Sequence, residues 1–172
     1  MELDVLIASL AIIVGLFGLM MKNPYDYNPK LSDMSPNEVA NAIDYFRYEL
    51  SDIYSLPIIK ILNQDLSKDK TVYDGTQVIA YFTPKPNGKS FISIDLEGMK
   101  MNGYELDDLC STIIHEYKHY SDCDQFEDYK NWLKDYERHP LFYELRSQES
   151  EKEYTKKLMV GLGKNTVPPV VE

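Results

Sequence analysis

The sequence predicts an α+β fold, with helices packed on a short antiparallel β-hairpin, after an N-terminal transmembrane helix. Three observations predict it: an uncharged apolar run near the start, later segments with apolar residues every three or four positions, and a β-branched, aromatic stretch around an Asn87-Gly88 turn signal. A length of 172 residues fits one domain with an appendage or two.

From Val5 to Met21 the chain reads VLIASLAIIVGLFGLMM, 17 residues without a charge, bounded by Asp4 and Lys22. At 1.5 Å per residue such a helix spans about 25 Å, and Leu3 with a snorkelling Lys22 covers the rest of a hydrocarbon core of roughly 30 Å. A cleaved signal peptide fits less well, because Glu2 and Asp4 replace a basic start and Leu19–Lys22 offers no small-x-small site. A buried core helix fits poorly too, since no polar stripe interrupts the run. Residues 1–22 therefore read as a retained single-pass anchor. Lys22 and Lys30 follow the run and acids precede it, which places the rest of the chain in the cytoplasm.

Residues 23–34, with Pro24 and Pro29, read as a linker. Ser35, Pro36 and Glu38 supply an N-cap, a proline in the first turn and the acid of a capping box. Val39, Ala42, Ile43, Phe46 and Leu50 then repeat at helical spacing, which predicts a helix over about 36–54. Pro57 ends it, and Ile58–Leu62 reads as a further helical turn. Gln77–Thr83 and Ser90–Leu96 predict the two strands of the hairpin. After Gly103, the positions Leu106, Leu109, Cys110, Ile113, Ile114 and Tyr117 predict a third helical segment. Residues 124–138, with Trp132 and Leu133, suit a helix or a long loop. A last helix is expected from near Pro140 to about Met159, with 35–160 as the folded domain and 161–172 as a flexible tail.

Charge narrows the function. The chain carries 28 Asp+Glu against 18 Lys+Arg, so a phosphate-neutralising surface is hard to build and no nucleic-acid partner is expected. Beyond the anchor the balance is 26 acids against 17 bases, so the acidity belongs to the domain. Cys110 and Cys123 form neither a disulfide framework nor a Cys-x-x-Cys pair, and read as small buried or half-buried thiols.

The chemistry concentrates at His115-Glu116-Tyr117-Lys118-His119, an HExxH motif. Histidines at i and i+4 project from one face of a helix about 6 Å apart in rise, so both imidazoles can converge on one ion. Glu116 is turned toward the edge of that face, where it can reach a water on the metal without ligating it. With 3 histidines in the whole chain, chance predicts roughly 0.004 occurrences of the pattern. Two histidines on a solvated helix face are the plain structural alternative.

On these residues the chain resembles the zincin metallopeptidases. The resemblance covers about residues 75–160, and His115–His119 is its one highly specific element. It is similar in particular to small HExxH proteins of phages and mobile elements, some of which end in a Tyr-x-x-Arg-x-x-Glu helix, here Tyr143, Arg146 and Glu149. The resemblance implies a minimal zincin-like domain with HExxH on the active-site helix, and an edge strand, for which Ser90–Leu96 is expected, that binds extended peptide. It also implies Zn²⁺ as cofactor and a third ligand from a later helix, as in gluzincins.

That ligand is not a metzincin histidine, because YSDCDQ follows His119. Asp122 lies seven residues and about 10.5 Å of helix rise from His115, so it is expected to support the site without ligating. In the last helix, Glu149 projects near the apolar Phe142 and Leu145, whereas Glu144 and Glu151 point away from them. Glu149 is therefore the expected third ligand, with Glu153 in reserve. Arg146 would steady its carboxylate or form an ordinary surface pair.

The expected activity is a membrane-anchored zinc metallopeptidase, with His115, His119 and Glu149 holding the metal and Glu116 as the catalytic base toward a water. His139 and several tyrosines are candidates to steady the oxyanion, and His139, before Pro140, also suits a plain loop position. The expected partner is a peptide or protein substrate at the bilayer. The alternative is a non-catalytic, membrane-tethered binding or host-interaction protein with a structural or degenerate zinc site. An intramembrane protease fails on position, since His115 lies far along the chain from the apolar run.

Overall fold

Ser35 starts the first helix as its capping box predicts: the Glu38 N–H donates to Ser35 Oγ, and the Ser35 N–H donates to Glu38 Oε2 at 2.7 Å. This helix, α1, spans Pro36–Tyr54 and ends where Ser55 turns left-handed at φ 54°. The computed structural model describes residues 27–68, 78–86 and 88–166, with side chains through residue 164. The anchor expected over 5–21, Asn87 and the tail from residue 167 onward lie outside them. Among the described residues, no helix is long and apolar enough to cross a membrane.

The described chain is α+β. It carries a three-stranded mixed sheet of β1 (Lys60–Asn63), β2 (Ala80–Thr83) and β3 (Phe91–Ile94), in the order β1-β3-β2. The expected hairpin is present, with Ala80 opposite Ile94 and Thr83 opposite Phe91 in antiparallel register, and Gly88 takes φ 67° in the connecting turn. Two expectations change. Residues 58–62 do not form a helical turn, because Lys60–Asn63 pairs in parallel with β3 from Lys60↔Phe91 to Asn63↔Ile94. β3 is consequently the central strand, with Ile92, Ser93 and Ile94 fully buried, and the edge nearest the HExxH helix is β2.

Among the described residues four helices follow α1: α2 (Leu96–Met101), α3 (Leu106–Asp124), α4 (Tyr129–Arg138) and α5 (Pro140–Thr166). The sequence reading carried the β3 strand through Leu96 and missed α2. Asp95 ends the strand by capping α2: its carboxylate accepts the Gly98 N–H at 2.8 Å and the Leu66 N–H at 3.2 Å. A Cβ on Gly98 would lie 2.7 Å from that carboxylate, so glycine permits the cap.

α3 runs through the core, with Leu106, Leu109, Cys110, Ile113, Ile114 and Tyr117 at zero exposure. The Tyr117 hydroxyl donates to the Arg47 carbonyl at 2.9 Å and accepts the Ile59 N–H, tying α3 to α1 and to the approach to β1. Both cysteines are buried free thiols, as expected.

The linker and the tail are shorter than the sequence suggests. Leu31 and Met34 are buried, and the Leu106 N–H donates to the Pro29 carbonyl at 3.0 Å, so the chain docks on the domain before residue 35. At the other end α5 continues past Met159 to Thr166, because Leu158, Met159 and Leu162 are buried and Gly161 allows Tyr45 to approach. Tertiary packing here outweighs the weak helix propensity of VGLGKN.

Candidate metal centre

The phase of α3 decides where the motif points. With Ile113 and Tyr117 in the core, His115 and His119 face α5, their ring centroids 4.8 Å apart. They meet Glu144, in the second turn of α5. Glu144 Oε2 lies 3.1 Å from His115 Nε2, and Glu144 Oε1 lies 3.4 Å from His119 Nε2. One ligand atom from each of the three residues falls within 4.8 Å of the others. A tetrahedral ion with bonds near 2.0–2.1 Å separates its ligands by about 3.3 Å, so these spacings suit a shared ion.

Glu151, two turns beyond Glu144, takes the far side of His115: its Oε1 lies 2.7 Å from Nδ1. A carboxylate accepts only, so the His115 proton sits on Nδ1. A neutral His115 then turns the bare lone pair of Nε2 toward Glu144 Oε2, a repulsive contact unless a second proton or a cation lies between them. In the metal-free chain a proton fills that role. Burial works against charge on His115, but its hydrogen bonds to Glu144 and Glu151 outweigh this and lift its pKa to about 10. Burial likewise disfavours the Glu144 carboxylate, yet His115, His119 and the Tyr136 hydroxyl hold its pKa well below the usual carboxylate range. The Tyr136 hydroxyl donates to Glu144 Oε1 at 2.5 Å.

Glu116 sits beside the cluster with 8% exposure and ligates nothing in it. Burial pushes its pKa up, while His119, His115 and the backbone of Phe82 pull the other way. A buried carboxyl poised in this way can hold or release a proton. The Phe82 ring lies 5.7 Å from that of Tyr120, which fastens the HExxH helix to β2.

A cavity of about 830 Å³ opens over these groups. β2 with the preceding Val78 and Ile79 forms one wall, α4 contributes Trp132, Leu133 and Tyr136, and Ser111 and Thr112 of α3 lie at its side with Glu151.

The other expected site residues lie elsewhere. Glu149 and Glu153 are exposed, so the structure puts Glu144 where the sequence reading put Glu149. The reason is the rotation of α5: the apolar Phe142 and Leu145 are 55% and 50% exposed, while Tyr143, Ser147 and Ser150 pack inward. Arg146 pairs with Asp122 Oδ1 at 3.0 Å rather than with Glu149. Asp122, 2% exposed, is held between Arg146 and Lys118, a tie between α3 and α5 away from the ligand nitrogens. His139 is an exposed residue at the C-terminal cap of α4 and does not line the cavity.

The sequence reading missed Glu144, Glu151 and Tyr136. Their signal was the seven-residue spacing of Glu144 and Glu151, which puts two carboxylates on one helix face, beside a stripe of small Ser147 and Ser150 that lets two helices approach closely.

Comparison of the chain with family models, curated proteins and solved structures finds no match.

Proposed function

We propose that this chain is a zinc-dependent metallopeptidase, in which His115, His119 and Glu144 hold the metal and Glu116 handles the proton. The observation that carries this reading is the convergence of the three ligand residues beside a buried, non-ligating Glu116, at the foot of a cavity. Two imidazoles and one carboxylate are one of the donor sets of catalytic zinc sites, which keep a fourth position open. Zinc bound there supplies Lewis acidity and brings the pKa of a water near about 7.

The chain's own groups do the rest. Glu116 takes a proton from the attacking water and returns it to the leaving amine. Glu151 fixes the ring plane and tautomer of His115, and Tyr136 steadies the Glu144 carboxylate, as outer hydrogen bonds do around metal ligands. β2, an edge strand among the described residues, borders the cavity and offers that edge to an extended peptide. The uncharged run 5–21 supports a single-pass anchor with the domain at the cytoplasmic face of a bilayer, and so a membrane-associated peptide or protein substrate.

A second reading draws on the position of Glu144: an ion at this site joins α3 to α5, the work of a structural zinc in a non-catalytic binding protein. It leaves Glu116 and the cavity without a role. The Glu116→Gln variant separates the two. The metallopeptidase reading expects about one zinc per chain in wild type and variant, with peptide-library cleavage by wild type falling at least about 100-fold in the variant. Zinc without cleavage in wild type favours the structural reading, and absence of zinc from protein grown in zinc-replete medium removes both.

A further inference from the structure

The cavity beside the ligand cluster has two unlike sides. Among the described residues its carboxylates, Glu116, Glu144 and Glu151, all come from α3 and α5, and no Lys or Arg lines it. Across from them α4 turns an apolar face inward while Lys130, Asn131, Lys134, Glu137 and Arg138 stay exposed. Trp132 forms the sealed floor of that face: it is 4% exposed, with its ring 5.6 Å from Phe82 and 5.3 Å from Tyr136. Leu133 is only partly buried and lines the cavity, as does the partly buried Ile79. An isobutyl group left half open at the wall of a deep cavity is apolar surface still in contact with water, and a second apolar side chain is the group whose entry would cover it.

We propose that this cavity is the substrate's side-chain pocket, that it takes a bulky apolar residue of the leucine or phenylalanine class, and that Leu133 determines the preference. The assignment rests on the peptidase reading for the nature of the ligand. An acidic substrate side chain would meet Glu116, Glu144 and Glu151 with no Lys or Arg among the described lining residues to pair with, and a basic one would lose hydration against Leu133 and Ile79 while Glu144 and Glu151 are already engaged by the histidines and Tyr136. The volume, about 830 Å³, holds such a side chain together with its flanking backbone.

Trp132 makes the proposal measurable without turnover, because it is the only tryptophan of the chain and it floors the pocket. Full-length, zinc-supplemented Glu116→Gln protein is titrated with blocked Gly-Gly-X-Gly peptides, X being Leu, Phe, Asp or Lys, while tryptophan emission is followed. The expected result is a saturable change with the Leu and Phe peptides, at a Kd at least about tenfold below those of the Asp and Lys peptides. Leu133→Asp is expected to remove that preference. Should it not fold, Leu133→Ala, which only shortens the wall, is expected to weaken Leu-peptide binding several-fold and leave the Asp peptide unchanged. Equal affinities across the series, no saturable response to any peptide, or an unaltered preference in Leu133→Ala each overturn the pocket assignment. Selective binding of the apolar peptides without their cleavage by wild type instead overturns the peptidase reading and leaves the pocket standing.

Discussion

Glu151 accepts a 2.7 Å hydrogen bond from Nδ1 of His115, and this one contact sets which nitrogen of the first motif histidine faces Glu144. Removing it by Glu151→Ala frees the ring to flip and lowers the basicity of Nε2. Zinc affinity, measured by chelator competition, is expected to fall about 10–100-fold, with the fold intact by circular dichroism. An unchanged affinity would show that Glu151 is a bystander.

Glu144 and Glu149 give the sharper contrast. Only Glu144 reaches both imidazoles, so Glu144→Ala is expected to weaken zinc binding by at least about 100-fold, whereas Glu149→Ala leaves it within about twofold of wild type. The reverse pattern, read in the same competition assay, would mean that α5 is rotated from the position described.

Metal uptake should depend on pH with a defined sign. In the metal-free chain the His115 pKa is lifted to about 10 by Glu144 and Glu151, against the pull of burial, so at neutral pH zinc must displace a proton from Nε2. Affinity is therefore expected to rise about tenfold per pH unit between roughly pH 6 and 8 and to level off only near the lifted pKa. A flat profile across that range, or zinc binding without proton release in calorimetry across buffers, would contradict this ion-paired state.

Asp122 is expected to matter for folding rather than for metal. It is 2% exposed between Lys118, itself 9% exposed, and Arg146. Asp122→Ala leaves the Lys118 ammonium buried without its partner, which costs about 3–5 kcal/mol in urea denaturation. Zinc affinity of the folded variant should change by less than roughly tenfold, the lower bound for a residue that orients a ligand. A large loss of zinc affinity with little loss of stability would return Asp122 to the supporting role the sequence suggested.

What was legible in the sequence was local. The capping box at Ser35 and Glu38, the antiparallel pairing of the hairpin strands and the helical spacing of His115, Glu116 and His119 depend on contacts within a few residues, and the structure carries each of them. β1 was not legible, because Lys60–Asn63 is a strand only by pairing in parallel with residues some thirty positions away. Nor was the identity of the edge strand: insertion of β3 between β1 and β2 is a property of the sheet order.

The sequence by itself determined that two imidazoles and a glutamate share one helix, since a period of 3.6 residues places i and i+4 on one face whatever surrounds them. Only the tertiary structure decided which carboxylate completes the group. That choice follows from the rotation of α5 against α3, which is governed by close packing over small Ser147 and Ser150 and by burial of Tyr143, Leu158 and Leu162. The apolar character of Phe142 and Leu145 predicts a buried side there, but shape complementarity leaves these two half exposed and swings Glu144 and Glu151 onto the histidines.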